Sequence, residues 1–493
     1  MKTKTGRRAS KQAGPSTRSA RSGRAGGQAS KRASGRAQDS AAAGSSRDGV
    51  LSALREALKS AGGDAELVYI GHDSGTTRFA ASGIHQNMCE RGVSVSARVA
   101  VGKKLGVASV NSLAKADLIA VLKQARDIAN SSKPLAEFPG FPGPQTYGPA
   151  PHPDPAIVQQ APSQRADALK SLFSAAAKSK TELHGALIAR TTQLAVANSC
   201  GLFAWHEGTL ADAQFIAMDQ GGGGSGYSAD AAPRWAGLDL QALADVAIRK
   251  CVDSRKPQNL DPGTYEVILE PAAVAEIFSW LPWIAFTGRS VEDGQSFLKG
   301  RFGQMVATDA VTIYDDGLDS EGIPLPFDFE GRPKKSVYFI DRGVAREVAH
   351  DAISAANAKA RPTGHAPFPG MGITAMPLNL FVAPGMSSVE EMIAQTHRGV
   401  LVTRFHYLNG LLNPPIALFT GMTRDGAFWV EDGKVRHPIK NMRFTQSIAK
   451  ALHGAELVGR DRTITPNTWA SFGSACVPAM KFREWTFSSR TEF

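Results

Sequence analysis

The metal-ligating side chains of this sequence do not fall into the spacing that a zinc hydrolase requires. Such enzymes place two histidines one helical turn apart, so that both imidazoles face one ion, with a nearby glutamate to activate water. The His206-Glu207 pair is not followed by a histidine four or five positions later. His85 and Cys89 are four residues apart, but they stand in a β-like stretch, where this spacing does not create a shared site. Neither pair predicts a metal centre.

Motifs for nucleophilic catalysis and for phosphate binding are also missing. The chain contains no Gly-x-Ser-x-Gly sequence, and its isolated cysteines and scattered histidines do not form a dyad signature. The glycine-rich stretch 219–228 lacks the lysine that follows the last glycine of a phosphate-binding loop, because Tyr227 and Ser228 stand there. We therefore expect this stretch to be a flexible surface connection.

The stretch 398–433 carries the polar residues that best suit a binding function. Four of them crowd together where a strand is predicted to end, and three follow at a predicted tight turn: Arg404, His406, Tyr407 and Asn409, then Thr423, Arg424 and Asp425. Polar groups that converge from strand ends can hold a peptide backbone or a peptide terminus. An ordinary hairpin whose polar side chains face water would show the same residues, so both interpretations stay open.

Hydrophobic periodicity indicates the elements that would position these residues. Val50, Leu51, Leu54 and Leu58 share one face at helical spacing, and Gly62-Gly63 ends that first helix. From residue 264 onward β signals dominate. Further helices are predicted at 113–130, 163–179, 238–254, 271–286, 350–360 and 387–395, and strands at 66–71, 76–82, 93–102, 184–197, 202–218 and 264–270.

Local signals add detail to this pattern. Hairpin-type turns are predicted at 424–426 and 431–433, where Asp-Gly follows an apolar or alternating run. Ser387 and Glu390 form a capping-box pattern that predicts a helix start.

The order of the elements predicts an α+β protein with a β-rich C-terminal part. A dense run of prolines separates the first elements from the rest and is typical of a linker. The expected organisation is a disordered basic tail at 1–48, an N-terminal α+β domain at 49–132, a Pro-rich linker at 133–160, a middle α+β domain at 161–260 and a β-rich C-terminal domain at 261–493.

The net charge of the chain is concentrated at its N-terminus. Residues 1–47 contain 12 Lys and Arg and one acidic residue, which equals the net charge of +11 of the whole chain. This segment has almost no large apolar side chains, so burial cannot offset its ordering entropy and we expect disorder. A basic tail of this kind favours weak, salt-dependent contact with nucleic acid.

Cysteine usage and hydropathy indicate the cellular compartment of the protein. The four cysteines, Cys89, Cys200, Cys251 and Cys476, do not form CxxC pairs or a disulfide scaffold. No apolar run approaches the ~20 residues of a membrane helix. We therefore expect a cytoplasmic protein without a membrane partner.

The C-terminal half resembles the TldD/PmbA peptidase family, whose motifs occur here in the family's order. They are GTYEVILEPAAVAEI (263–277), GQSFLKGRFGQMVATDAVTIYDD (294–316), PFDFEGRPKKSVYFIDRGV (326–344) and GMTRDGAFWVEDGKVRHPIKNMRFTQSI (421–448). The first is similar to the strand and helix start that open the family's C-terminal domain. The resemblance covers about residues 160–493.

This chain departs from the family pattern at its metal site. In the TldD subunit of the family, the helix after the first of these strands carries HExxxH, which binds zinc together with a cysteine near the C-terminus. Here that helix reads AEIFSWLPWIAFTGRS, which contains no histidine and leaves Glu276 without partner ligands. Cys476 is a candidate remnant of the cysteine position. The departure resembles the TldE (PmbA) branch of the family.

The resemblance implies a subunit that has no catalytic residues and no metal of its own. It would pair with a TldD-like subunit that carries HExxxH and zinc, complete the peptide-binding cleft and support proteolysis of small or unfolded peptides. The seven polar residues of 404–425 are the candidates for peptide contact. Whether the chain has enzymatic activity without a partner stays open at this point.

Two other functions remain as alternatives. The first is a free-standing hydrolase with a rearranged metal site, drawing ligands from His397, His406, His437 and Cys476. The metal content of the purified chain would separate it from an accessory subunit. The second is a nucleic-acid-associated protein that acts through its basic tail, and loss of DNA retention on removal of the tail would reveal it.

We predict that residues 1–48 are dispensable for folding, because they offer nothing to bury. Limited trypsin digestion should remove them first, leaving a core that begins near Asp48 with an unchanged melting temperature. A tail that resists trypsin despite its 12 Lys and Arg would contradict this prediction.

Overall fold

The computed structural model describes residues 46–372, 375–467 and 472–491, and Ser45–Phe493 form one compact unit. The first helix begins at Arg47, with the Ser46 hydroxyl accepting a hydrogen bond from the Gly49 amide. Most of the segment predicted to be a disordered tail lies outside the described residues. Within these residues no helix is long and apolar enough to cross a membrane.

The first half of the unit is built on a six-stranded antiparallel sheet with helices packed against it. Its strands are β1 (Ala65–Ala80), β2 (Gly83–Val101), β3 (Lys104–Val110), β4 (Thr181–Asn198), β5 (Phe203–Asp219) and β6 (Ser225–Ala232), in the order β3-β2-β1-β4-β5-β6. The helices are α1 (Arg47–Leu58), α2 (Lys115–Ser131), α3 (Pro155–Val158), α4 (Pro162–Lys178) and α5 (Leu240–Asp253). Their apolar faces bury Leu54, Leu122, Leu169 and Ile248.

The segments expected to form separate N-terminal and middle domains share this one sheet. β1 pairs with β4 along its whole length, from Glu66 opposite Asn198 to Phe79 opposite Gly185. The Pro-rich stretch between them packs against the body, because the Asn198 side-chain amide donates to the Pro142 carbonyl over 2.8 Å. A sequence pattern gives strands but not their long-range partners, so it could not show this pairing.

The second half contains an 11-stranded sheet. Its strands are β7 (Gly263–Leu269), β8 (Ile313–Asp315), β9 (Val337–Asp341), β10 (Val344–Ala345), β11 (Asn379–Val382), β12 (Arg398–Asn413), β13 (Leu418–Glu431), β14 (Lys434–Pro438), β15 (Met442–Ser447), β16 (Ala455–Pro466) and β17 (Ser474–Arg490). The helices of this half are α6 (Pro271–Phe278), α7 (Leu281–Ile284), α8 (Gly288–Glu292), α9 (Ala352–Asn357), α10 (Val389–Ala394) and α11 (Ile448–Leu452). The α+β fold class with a β-rich C-terminal part is therefore confirmed.

Five strands of this sheet close into a ring. The path β17-β15-β13-β12-β7 returns to its start, because β7 pairs with β12 on one edge and with β17 on the other. Aromatic side chains fill the interior, with ring centroids 4.5 Å apart for Phe405 and Phe444 and 5.2 Å apart for Phe444 and Trp485. Closure removes free edges and fixes the register of each strand.

The helix predicted at 271–286 is broken in two. α6 ends at Phe278 and α7 begins at Leu281. Pro282 has no amide hydrogen to donate to the Phe278 carbonyl, and its ring would clash with that carbonyl in a continuous helix.

The capping box predicted at Ser387 and Glu390 lies one position further on, at Ser388 and Glu391.

The turn predicted at 424–426 is wrong, because these residues lie inside β13. Val402 pairs with Ala427 and Arg404 pairs with Arg424, so that Asp425 and Gly426 together oppose one residue, Thr403. This is a β-bulge, and both bulge residues have positive φ angles, 53° for Asp425 and 120° for Gly426. Asp-Gly favours this conformation as readily in a bulge as in a turn.

The second predicted turn, at 431–433, is confirmed and joins β13 to β14. The glycine-rich stretch 219–228 is not simply a flexible connection, since β6 begins within it. A Cβ atom added at Gly226 would lie 2.2 Å from the Ala247 carbonyl of α5. The glycines therefore allow close packing of α5 on the sheet.

A buried ion cluster connects the two halves. Arg98 on β2 donates to Glu66 on β1 over 2.6 Å and lies 3.3 Å from Glu330, in the hairpin before β9. The Glu66 side chain is fully buried, and burial raises its pKa to about 7 although Arg98 opposes the shift. The guanidinium thus compensates two carboxylates that cannot reach water.

We predict that Arg98→Ala lowers the free energy of unfolding by about 3–5 kcal/mol at pH 8, because it leaves buried carboxylates uncompensated. The loss should shrink toward pH 5, where the Glu66 carboxyl, whose pKa burial raises to about 7, binds a proton in the folded state. Urea denaturation at both pH values measures the effect.

Arg91→Ala on the same strand is the matched control for this prediction. The pair that Arg91 forms with Asp73 is exposed, with side chains 70% and 50% accessible. An exposed pair of this kind contributes less than about 1 kcal/mol. Equal losses for the two variants would contradict a special role of the buried cluster.

Candidate functional site

A cleft of about 290 Å³ lies where α6 and α7 meet β12. The helices contribute Ala275, Glu276 and Trp280 to its wall, and β12 contributes His406 and Tyr407. The remaining wall comes from distant segments of the chain, residues 376–380, 465–467 and 474–475. The cleft therefore exists only after closure of the five-stranded ring brings these segments together.

Glu276 is the carboxyl group that faces this cleft. Its Oε2 accepts a hydrogen bond of 2.7 Å from the Phe405 amide, just beyond the β-bulge. Burial raises the pKa of Glu276 to about 8, while Arg404 and the Phe405 amide act in the opposite direction. The side chain is thus largely protonated at neutral pH and can donate as well as accept a hydrogen bond.

Arg404 and Asp425 form an internal pair and do not face a ligand. Arg404 Nε donates to Asp425 Oδ2 over 2.8 Å, and Arg404 Nη2 donates to the same oxygen. The guanidinium also lies 4.3 Å from the ring centroid of Tyr227 on β6. The Tyr227 hydroxyl in turn accepts a hydrogen bond from Gln214. This chain of contacts joins the bulge of β13 to the six-stranded sheet.

The other predicted site residues separate into two groups. His406 and Tyr407 line the cleft, and Tyr407 is 79% exposed with a φ of 57°. Burial, with Arg424 and Arg404 nearby, lowers the pKa of His406.

Thr423, Asn409 and Arg424 do not line the cleft. Thr423 is fully buried and accepts from the Met442 amide. The Asn409 side chain accepts from the Leu411 amide. Arg424 is exposed and lies opposite Arg404 in the pairing of β12 with β13. The structure therefore brings two of the seven candidates to the cleft.

Several cleft residues escaped sequence reasoning. Trp280 and Trp283 are amphipathic aromatic residues on a short helical segment, where apolar periodicity alone predicts only core packing. Ser474 lines the same cleft, and its buried Oγ has no hydrogen-bond partner among the described residues. The one signal in the sequence for this cleft is Glu276, a single glutamate on an otherwise apolar helix.

The ligands of the rearranged metal site do not come together. His397 is exposed and pairs with Asp432 over 2.8 Å. The Cys476 thiol donates to the Glu321 carbonyl, and burial raises its pKa to about 11, so it stays protonated. Across the described parts of the chain, no three His, Cys, Asp or Glu side chains converge as metal ligands do.

We predict that Glu276→Gln becomes increasingly stabilising, relative to the unchanged protein, as the pH rises from 5 to 9. A carboxyl whose pKa is raised in the folded state binds its proton more tightly in the folded than in the unfolded protein. The stability of the unchanged protein therefore falls as the pH rises from about 4.3, the pKa of glutamate in the unfolded chain, toward about 8, the pKa of Glu276 in the folded protein. Glutamine keeps an acceptor for the Phe405 amide and does not titrate.

Melting temperatures of the two proteins across this pH range measure the difference. Glu90→Gln, which changes an exposed carboxyl on β2, serves as the control and should not widen the gap. A constant difference between Glu276→Gln and the unchanged protein would show that the carboxyl is not held neutral by burial.

Comparison with known proteins places this architecture. Residues 262–489 match the family model described as the PmbA/TldA metallopeptidase C-terminal domain. The metalloprotease PmbA of Escherichia coli O157:H7 is 26% identical over 252 residues, covering 50% of this chain and 51% of the relative. A metalloprotease of Methanothermobacter thermautotrophicus is 23% identical over 231 residues, covering 45% of this chain and 49% of the relative. The chain spans about half the length of these relatives.

The similarity in structure extends further than the similarity in sequence. TldE from Thermococcus kodakarensis superposes with a TM-score of 0.80 at 22% identity, covering 89% of this chain and 99% of that one. A putative modulator of a DNA gyrase from Thermotoga maritima gives 0.74 at 20% identity, with the same coverage. At these identities the match shows the fold.

The family's zinc does not fit the residues of this cleft. α6 and the residues after it, through Ser290, contain no histidine, and they present Ala275, Glu276 and Trp280 to the cleft. The carboxyl that remains is bonded to a backbone amide. The C-terminal domain, residues 262–489, therefore belongs to the PmbA/TldA metallopeptidase family, and the fold of the chain is similar to that of TldE.

Proposed function

We propose that this chain is a TldE/PmbA-like subunit that completes the peptide-binding cleft of an HExxxH-bearing, TldD-like partner. The observation that carries this proposal is the cleft at α6, which keeps the family frame but presents Ala275, Glu276 and Trp280 in place of metal ligands. The fold similarity to TldE of Thermococcus kodakarensis supports it. The zinc, and the zinc-bound water, would belong to the partner.

The chemistry of the cleft suits a peptide held in an extended conformation. Trp280, Trp283 and Tyr407 give broad apolar faces for side chains. Glu276 in its protonated form, the imidazole of His406 and the Oγ of Ser474 provide hydrogen-bonding groups at the same wall. Peptide backbones need both kinds of contact, and the combination does not select a particular sequence.

The physical role of such a subunit is positioning. A peptide held against two subunits presents its scissile bond to the partner's site in a restricted geometry, which lowers the entropic part of the barrier. Small or unfolded peptides are the fitting substrates, because a folded chain does not offer an extended segment. The proposal leaves this chain without peptidase activity of its own.

We predict that only the mixture of this chain with an HExxxH-bearing family member cleaves an unstructured peptide. His406→Ala should reduce turnover by the complex about tenfold, the effect of losing one hydrogen bond of ~1.4 kcal/mol. Subunit association, measured by analytical ultracentrifugation, should not change. Arg404 is unsuitable for this test, since its removal would leave Asp425 buried and unpaired.

Arg436→Ala is the matched control, because Arg436 is exposed on the neighbouring strand β14 and does not line the cleft. It should leave turnover unchanged. The proposal fails if this chain alone cleaves the peptide in the presence of a chelator, or if the partner alone is equally active. About one zinc per purified chain, lost on Cys476→Ser, would also contradict it.

A further inference from the structure

A second and larger cavity lies beside α8, outside the cleft described above. It encloses about 610 Å³ and includes Gly288 and Val291 of α8, Phe302, Val348 and His350 in its wall. None of these residues lines the first cleft. The apolar members form a groove wide enough for an amino-acid side chain and its neighbours.

Backbone hydrogen bonds between short extended segments build this wall. The Gly288 amide donates to the Ala349 carbonyl over 2.9 Å, and the Thr363 amide donates to the His350 carbonyl over 3.0 Å. The Lys335 amide then donates to the Thr363 carbonyl over 3.1 Å. These bonds place Gly288, His350 and Lys335 on neighbouring segments, so the imidazole and the ammonium group belong to one site.

The imidazole of His350 is held in a defined orientation. Ser354 Oγ donates to Asp351 Oδ1 over 2.5 Å and lies 3.3 Å from His350 Nδ1. Because the hydroxyl hydrogen is directed at the carboxylate, Nδ1 carries the ring proton and donates to Ser354 Oγ. Burial lowers the pKa of His350, so the neutral ring offers its Nε2 lone pair as an acceptor.

The position of the ring also depends on Gly288. A Cβ atom added there would lie 2.2 Å from His350 Cε1 and 2.3 Å from Nδ1. No side chain can occupy that space while the ring keeps its place. His350 is 9% exposed, and the surface that it retains faces the cavity. The imidazole is therefore built into the groove as a buried acceptor.

The charged residues of the rim restrict the ligand. Lys335 and Arg361 line the cavity, are exposed, and form no ion pair within the described residues. Arg346 is already paired with Asp341 over 3.0 Å. Glu292 and Glu347 line the same groove, and this mixture of signs disfavours a polyanion such as a nucleic acid or polyphosphate. A ligand that carries a single carboxylate next to an N–H donor fits this groove better.

We propose that this groove binds the carboxyl-terminal residue of a peptide. The terminal carboxylate pairs with Lys335 and Arg361, and the amide N–H of the last residue donates to His350 Nε2. An apolar side chain packs against Val291 and Phe302. The site needs no partner subunit and is independent of the function proposed for the first cleft.

Binding of two fluorescein-labelled peptides, fluorescein-Gly-Ala-Leu with a free carboxylate and the same peptide with a carboxamide, tests the carboxylate contact. Fluorescence anisotropy with the full chain should show at least tenfold tighter binding of the acid. Arg361→Ala and Lys335→Ala should each weaken the acid about tenfold, which corresponds to ~1.4 kcal/mol. Equal affinity for the acid and the carboxamide would overturn the proposal.

Arg460→Ala is the matched control and should leave this affinity unchanged, because Arg460 is exposed on β16 and lines neither cavity. Weakening by His406→Ala but not by Arg361→Ala would place the peptide in the first cleft and would also overturn the proposal. A failure of the accessory-subunit function, by contrast, would not alter either titration, because both use this chain alone.

The acceptor role of His350 has its own test. The same peptide with the last amide replaced by an ester lacks the N–H, and the unchanged protein should bind it about tenfold more weakly. His350→Phe should bind both forms equally. If the unchanged protein binds the amide and the ester with equal affinity, the imidazole does not accept a hydrogen bond from the N–H and this part of the assignment is wrong.

Discussion

The closure of the C-terminal strands into a ring is the constraint on which the rest of the structure depends. β7 pairs with β12 and with β17, so its position is fixed from both edges. α6 follows β7 directly, and Glu276 on α6 therefore reaches the Phe405 amide of β12 at a fixed distance of 2.7 Å. The cleft is the space left between this helix and the strand to which it is bonded. A ring that failed to close would leave no wall for it.

Two arginines connect the second half of the unit to the six-stranded sheet. Arg98 holds the sheet to the hairpin before β9 through Glu330, and Arg404 holds the bulge of β13 to Tyr227 of β6. Both guanidinium groups are largely buried and paired with carboxylates, so they fix geometry at a cost in desolvation. This explains why Arg404 belongs to the frame of the cleft and not to its lining. The exposed His406 beside it is the group that a ligand can reach.

Periodicity and family motifs predicted the fold class and most elements, because these depend on residues close in sequence. The helix predicted at 113–130 is α2, and the turn at 431–433 is present. The Asp425-Gly426 bulge was mistaken for a turn, since both require the same positive φ angles. Only part of the cleft was predictable. The segments at 376–380, 465–467 and 474–475 meet α6 through strand pairing, and their contribution depends on contacts that no local pattern encodes.

Glu276 has a structural role that does not involve a metal ion. Glu276 accepts a hydrogen bond from the Phe405 amide, which lies beyond the end of the β12–β7 pairing at Val402 and Leu269. Burial keeps the carboxyl largely neutral, so it accepts this bond without placing a charge beside the apolar wall of the cleft. The hydrogen bond that Glu276 accepts positions α6 against β12. The shape of the cleft is therefore determined by strand pairing and by this hydrogen bond.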